Sequence, residues 1–256
     1  MVATATFRFY EELNDFLRTD RRRQAFVCSS AENASVKQAI ESLGVPHTEI
    51  EIILVNGVSV DFSHRVAEGD RISVYPMFES LDVRPILRLR PEPLRTSRFV
   101  ADAHLGRLAR YLRMLGFDTL YETALPDLDL VEISRSERRV LLTRDRELLM
   151  HRALTHGVLV RGDRPREQLG YVLNRLDLRE SCRPFIRCMS CNSELVAVER
   201  EFVRDRVPRR VAELHQRFHR CPGCARVYWR GSHWMRMRTM IDRTVGDGSK
   251  AADHNR

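Results

Sequence analysis

Lysine is almost missing from this 256-residue chain: Lys37 and Lys250 are the only two, although Lys and Arg together number 43. Nearly all of the positive charge is therefore guanidinium, a planar fork of donors that pairs with phosphate at two points. Long apolar runs are missing too. No stretch approaches the roughly 18 residues of a membrane-spanning helix, so no membrane partner is expected. The opening Met1-Val2-Ala3-Thr4-Ala5-Thr6-Phe7-Arg8 lacks the apolar core of a secretory leader, and the expected compartment is the cytoplasm. Glycine and proline occur only 12 and 10 times, which excludes collagen-like chains. What remains, 43% hydrophobic and 30% charged residues, is the composition of a globular protein and excludes a disordered one. The length leaves room for two or three small domains.

Charge is unevenly spread. Residues 1–80 hold eight Lys/Arg against twelve Asp/Glu, and the remainder holds 35 against 23, so a net −4 segment precedes a net +12 one. An anionic partner is expected on the basic part, and nucleic acid is the first to test. The plainer alternative is an arginine-rich solvated surface.

Residues 1–80 read as an α+β unit. Strand patterns at Ala3–Tyr10 and near Gln24–Cys28 precede a helix from about Ser35 to Leu43, which stops at Gly44 and Pro46. The apolar run Ile50–Val60 is broken by Asn56-Gly57, a hairpin signal because both turn positions want positive φ. Asp70–Pro76 is a last strand. Val55-Asn56-Gly57 followed by Glu68-Gly69-Asp70-Arg71-Ile72-Ser73-Val74-Tyr75-Pro76 resembles the ubiquitin-like β-grasp fold, in particular its sulfur-carrier branch. Those carriers end in a free Gly-Gly, whereas this chain runs on through Met77-Phe78-Glu79-Ser80, so the domain reads as a binding or regulatory module that recruits a protein partner. Residues 81–96, with Pro85, Pro91 and Pro93 among arginines, read as a semi-stiff basic linker.

From Arg98 strands alternate with helices: Arg98–Ala101, a helix at His104–Leu115, Thr119–Tyr121, a helix near Leu128–Ser136, Arg139–Thr143, a helix near Asp145, Gly157–Arg161, and a helix at Pro165–Leu176. This predicts an α/β domain with a parallel sheet. The first helix carries Leu105, Leu108, Ala109, Leu112 and Leu115 on one face, and Arg107, Arg110 and Arg113 read as another.

Ligands of such sheets sit at the carboxyl ends of the strands. Aspartates follow every strand: Asp102, then Asp127 and Asp129, then Asp145, then Asp163. Carboxylates converging on one edge suit a hard cation, Mg2+ or Mn2+, which activates water and steadies a phosphodiester. Taken singly, Asp102, Asp127 and Asp145 also suit helix N-caps. Asp102, Asp129 and Asp145 are the expected catalytic set, with Asp127 and Asp163 as alternatives to Asp129.

The segment Phe99-Val100-Ala101-Asp102-x-x-Leu105-Gly106-x-Leu108-Ala109-Arg110-x-Leu112-Arg113-x-Leu115-Gly116-Phe117-Asp118-Thr119, with Leu141-Leu142-Thr143-Arg144-Asp145-Arg146-x-Leu148, resembles the Mut-seven C-terminal RNase family. The resemblance implies a PIN-like nuclease domain followed by a zinc ribbon, bacterial members often being preceded by a ubiquitin-like domain. It also implies a metal-dependent ribonuclease, and Asp102 and Asp145 match its motifs best.

Cys188-Met189-Ser190-Cys191 and Cys221-Pro222-Gly223-Cys224 are paired knuckles, and two such pairs make a tetrahedral four-cysteine site for structural Zn2+. Tyr228-Trp229-Arg230-Gly231-Ser232-His233-Trp234-Met235-Arg236 then interleaves aromatics with arginine, as single-stranded nucleic acid requires. The plainer reading of Tyr228 and Trp229 is ribbon packing. Arg107, Arg110, Arg144, Arg230, His233 and Arg236 are the expected RNA contacts.

The chain thus reads as multidomain: a β-grasp domain over 1–80, a linker over 81–96, an α/β PIN-like nuclease domain over 97–180, a zinc ribbon over 181–240 and a disordered tail over 241–256. The expected function is metal-dependent cleavage of RNA, the alternative a non-catalytic RNA-binding or adaptor protein.

Overall fold

The computed structural model describes residues 2–77, 83–89 and 97–246. The N-terminal strands are β1 (Val2–Phe9), β2 (Phe26–Ala31), β3 (Ile50–Val55), β4 (Val58–Ser59) and β5 (Arg71–Pro76), with helix α1 at Val36–Ser42. They form one mixed sheet in the order β2-β1-β5-β3-β4, in which β1 and β5 run parallel. This is the β-grasp arrangement. Its hairpin turn has φ of 52° at Asn56 and 86° at Gly57, as the dipeptide requires. Ser35 and Gln38 form a reciprocal capping box at the start of α1. The helix lays Val36, Ala39 and Ile40 against Phe7, Phe9, Ile53 and Val74 in one core.

Beyond the β-grasp strands come β6 (Arg98–Ala101), α2 (Gly106–Met114), β7 (Asp118–Tyr121), α3 (Asp127–Glu137), β8 (Val140–Thr143), α4 (Arg146–Leu149), β9 (Gly157–Leu159) and α5 (Pro165–Arg175). Strands β6 to β9 are those of a four-stranded sheet; β7 runs parallel to β6 and β9 to β8. Every residue of β8 is buried, the pattern of a strand covered on both faces.

The chain divides into two compact units, Met1–Thr96 with Pro126–Leu159, and Ser97–Leu125 with Val160–Arg256. In the first, Leu159 packs on the β-grasp core. A turn of the β-grasp domain, His47–Glu49, is buried and bonded to the α4–β9 stretch. The Leu159 amide donates to Glu49 Oε1 at 2.7 Å. The Thr48 hydroxyl donates to the Leu149 carbonyl at 3.3 Å, and His47 Nε2 lies 2.8 Å from the Leu154 carbonyl. Part of the stretch that the sequence suggests as a linker is also packed: Val83 and Leu87 are buried, and the Ser59 hydroxyl donates to the Ile86 carbonyl. Its residues 81, 82 and 90–96 lie outside the described residues.

Glu49 is 2% exposed, so removing its acceptor takes the partner from the part-buried Leu159 amide. Glu49→Ala is expected to lower stability by about 1–3 kcal/mol, and Glu49→Gln, which keeps an oxygen there, by less. Urea unfolding midpoints of the two variants check this; equal losses would remove the role given to the acceptor.

In the second unit, α2 buries Leu108, Ala109 and Leu112 completely. Arg107 and Arg110 are exposed, but Arg113 is only 4% exposed, which corrects the reading of the three arginines as one face. At about 100° per residue, Arg113 lies roughly 120° around the helix from Arg107. Three antiparallel strands follow, β10 (Val196–Glu199), β11 (Arg217–Arg220) and β12 (Val227–Tyr228). Helix α6 (Arg209–Leu214) lies between β10 and β11. Helix α7 spans Ser232–Gly246, so residues 241–246 are helical where the composition suggests a disordered tail; the rest of that tail, 247–256, lies outside the described residues. The Arg179 guanidinium donates to the carbonyls of Thr244 and Val245, the ordinary way a cation closes a helix C-terminus. Among the described residues no helix is long and apolar enough to cross a membrane.

Candidate functional site

The four sulfurs of Cys188, Cys191, Cys221 and Cys224 all lie within 4.8 Å of one another. Cys188 and Cys224 are 3.5 Å apart and Cys191 and Cys221 3.2 Å apart. Four ligands at the usual zinc–sulfur length of about 2.3 Å sit roughly 3.8 Å from each other, so the tetrad fits a zinc ion. The two knuckles share a local geometry. In each, the residue after the second cysteine turns left-handed, Asn192 at φ 73° and Ala225 at 58°, and its amide donates to the carbonyl of the first cysteine. A Cβ on Gly223 would lie 2.5 Å from the Ser193 hydroxyl oxygen, so a larger residue there would displace the Ser193 side chain.

Hydroxyls steady the sulfurs: Tyr228 Oη is 3.1 Å from Cys188 Sγ and Ser193 Oγ is 3.4 Å from Cys191 Sγ. Burial raises Cys191, yet hydrogen bonds from Ser193 and the neighbouring thiols outweigh it and pull the group to about 6. Burial, with hydrogen bonds to the Cys221, Cys188 and Cys191 thiols, pushes Cys224 up to about 12.

The first knuckle is fastened to the α2–β7 hairpin by polar contacts. Arg113 Nη1 donates to the Ser190 carbonyl at 2.7 Å, and its Nε donates to the Thr119 carbonyl at 2.8 Å. Burial lowers the Arg113 pKa, while the cysteines it faces, Cys191 and Cys188, act to raise it. Asn192 receives the Thr119 amide at 3.0 Å and donates to Asp118 at 2.6 Å.

Beside this knuckle Arg107, Arg110, Arg166, Arg236 and His233 converge on a cavity of about 540 Å³ whose floor includes Met189 and Met237. Among the described residues no carboxylate lines it. All five side chains are exposed. Sequence reasoning named four of them. It missed Arg166, in the first turn of α5, which nothing local distinguishes from any solvated arginine. Arg230 stands apart, its guanidinium 5.3 Å from the centre of the Trp234 ring. Arg144 belongs to the other unit, in the turn between β8 and α4.

The carboxylates occupy unlike settings. Asp102 follows β6 in the second unit, is 9% exposed, and makes no side-chain capping bond to the turn it precedes. Asp145, in the first unit, does cap α4: its Oδ1 accepts from the amides of Glu147 and Leu148 at 2.7 and 3.3 Å. Both bonds fall on one oxygen. Asp129 is exposed in the first turn of α3, next to exposed Asp127, and Asp163 is exposed ahead of α5.

If the arginine cavity holds RNA phosphates, Arg107→Gln and Arg236→Gln should each weaken binding of any RNA sequence alike and lower the slope of log affinity against log salt by about 0.7. Fluorescence anisotropy over a salt series measures the slope. An unchanged slope would take those two residues out of the interface.

No curated protein matches the chain. Among solved structures, small archaeal modifier protein 1 of H. volcanii is 18% identical, over 29% of this chain and 97% of that one, with a TM-score of 0.24. The Mut7-C ubiquitin domain matches residues 2–82 and the Mut7-C RNAse domain residues 97–241. With more than half of its length in that match, the chain belongs to the Mut7-C RNAse domain family.

Proposed function

We propose that this protein is a metal-dependent ribonuclease that cleaves RNA phosphodiester bonds. The observation that carries the reading is the cavity ringed by Arg107, Arg110, Arg166 and Arg236, with no carboxylate among its described lining residues, in a chain whose matched domain is an RNAse domain. Guanidinium groups around a cavity without a carboxylate among its described lining residues suit an oligoanion, and single-stranded RNA supplies phosphates in series. Asp102, Asp129 and Asp145 supply hard oxygen donors for Mg2+ or Mn2+, with Asp102 and Asp145 each following a strand of the parallel sheet. When bound, such an ion activates water and offsets charge gathering on the phosphate. The zinc held by the cysteine tetrad is structural: it orders the knuckle that carries Met189 to the cavity floor. The β-grasp domain, with no free Gly-Gly end, serves as a module for a protein partner.

A second reading, a non-catalytic RNA-binding adaptor, draws on Asp145, whose capping bonds give that carboxylate a structural task. Incubating zinc-loaded protein with labelled single-stranded RNA in Mn2+ separates them. The ribonuclease cuts, and loses the activity when the manganese is omitted; an adaptor binds the RNA and leaves it whole.

A further inference from the structure

A second cavity, about 380 Å³, adjoins the arginine groove and shares Arg110, Met189, His233 and Met237 with it. Its character is different. Phe185, Tyr228, Trp229 and Trp234 line it, with Arg110 and Arg226 beside them and no carboxylate among the described residues of its wall. Both tryptophans of the chain are therefore in one pocket. They are held differently. Trp229 packs on the core of Val203, Val207 and Phe218, and Gly231 lies so close that a Cβ there would come within 2.8 Å of its ring nitrogen. Trp234 projects from the first turn of α7, tilted 37° from Phe185 at 5.1 Å and carrying Arg230 over its ring. The ribbon core is small, and these rings are only half-buried.

We propose that this pocket receives one unpaired nucleobase of an RNA strand whose backbone lies in the arginine groove. The inference rests on the ribonuclease reading for its ligand and adds where and how that ligand is gripped. A nucleobase is flat, apolar on its faces and polar at its edge, which matches rings flanked by guanidinium donors. The cavity has the size of a small-ligand site. The shared residues put the base and its phosphates in adjoining spaces, and the positive charge around them matches the strand and not a neutral metabolite. A base inside a duplex cannot enter, so the pocket selects single-stranded or flipped-out nucleotides.

The two tryptophans make the pocket its own reporter. Zinc-loaded protein without added Mg2+ or Mn2+ is titrated with a short single-stranded oligoribonucleotide and, in parallel, with an abasic ribose-phosphate chain of equal length. Tryptophan emission and anisotropy of an end-labelled strand are both read. The expected result is quenching by the RNA, none by the abasic chain, and tighter binding of the RNA by on the order of tenfold to a hundredfold. Trp234→Ala should remove that preference and Trp234→Phe restore most of it, while binding of the abasic chain stays as in the native protein. RNA that binds with unchanged emission, or no better than the abasic chain, overturns the base pocket and leaves the phosphate groove standing. Failure of both polymers to bind overturns the RNA reading itself, and the pocket assignment with it.

Discussion

Asp102→Asn and Asp145→Asn are each expected to cut metal-dependent RNA cleavage by about a hundredfold or more while the melting temperature moves by only a few degrees. The two effects separate because amide and carboxylate differ in charge far more than in shape. At Asp145 the capping oxygen accepts from two backbone amides, and an asparagine oxygen can do the same, so α4 stays capped. At Asp102 the side chain makes no capping bond, so no cap is at stake. What both variants lose is the negative charge that a hard cation requires. Single-turnover cleavage of a labelled strand in Mn2+, with thermal melts of the same samples, checks the pair. Near-native cleavage by both folded variants would make the carboxylates structural and leave the adaptor reading.

Cys221→Ser should lose the bound metal and unfold the ribbon while leaving the β-grasp domain folded. Elemental analysis of the native protein should find one zinc per chain. The expected size of the effect follows from how little else holds this part together: the fully or nearly fully buried apolar residues of the ribbon core are Val203, Val207 and Phe218. A structural zinc contributes about 10–16 kcal/mol, more than such a core supplies. Cys221 is the severest choice because it is fully buried, approaches Cys191, and has the Cys224 amide 3.4 Å from its sulfur. Hydrogen exchange should show protection lost across 188–228 and kept in β1 to β5. Absence of zinc from freshly purified protein, or a variant that melts like the native chain, would refute the assignment. Loss of the first knuckle also removes Met189 from the arginine cavity, so RNA affinity should fall in the same variant.

Much of this protein is decided within short windows of its sequence. Asn56-Gly57 makes its hairpin because both residues tolerate positive φ, and Ser35 with Gln38 starts α1 because two side chains answer two orphan amides. The knuckles gather four thiolates because each Cys-x-x-Cys needs only its own turn. The alternation of strands and helices after Arg98 is equally legible, since strands and helices impose different periods on their apolar residues. The tertiary structure decided which polar groups face which others. Arg113 resembles Arg107 and Arg110 in sequence, yet helical rotation turns it onto the knuckle carbonyls. Arg166 joins the cavity only because α5 and α2 supply walls of the same space. Helix α7 takes in the second half of the aromatic block, where Trp234, Met237 and Ile241 have helical spacing. Glu49 stands as an apparent misfit at the threshold of a strongly apolar strand, and its acceptor is used by an amide 110 residues away. Hydrogen bonds of that kind depend on where distant backbone arrives, and no local window of the chain carries that information.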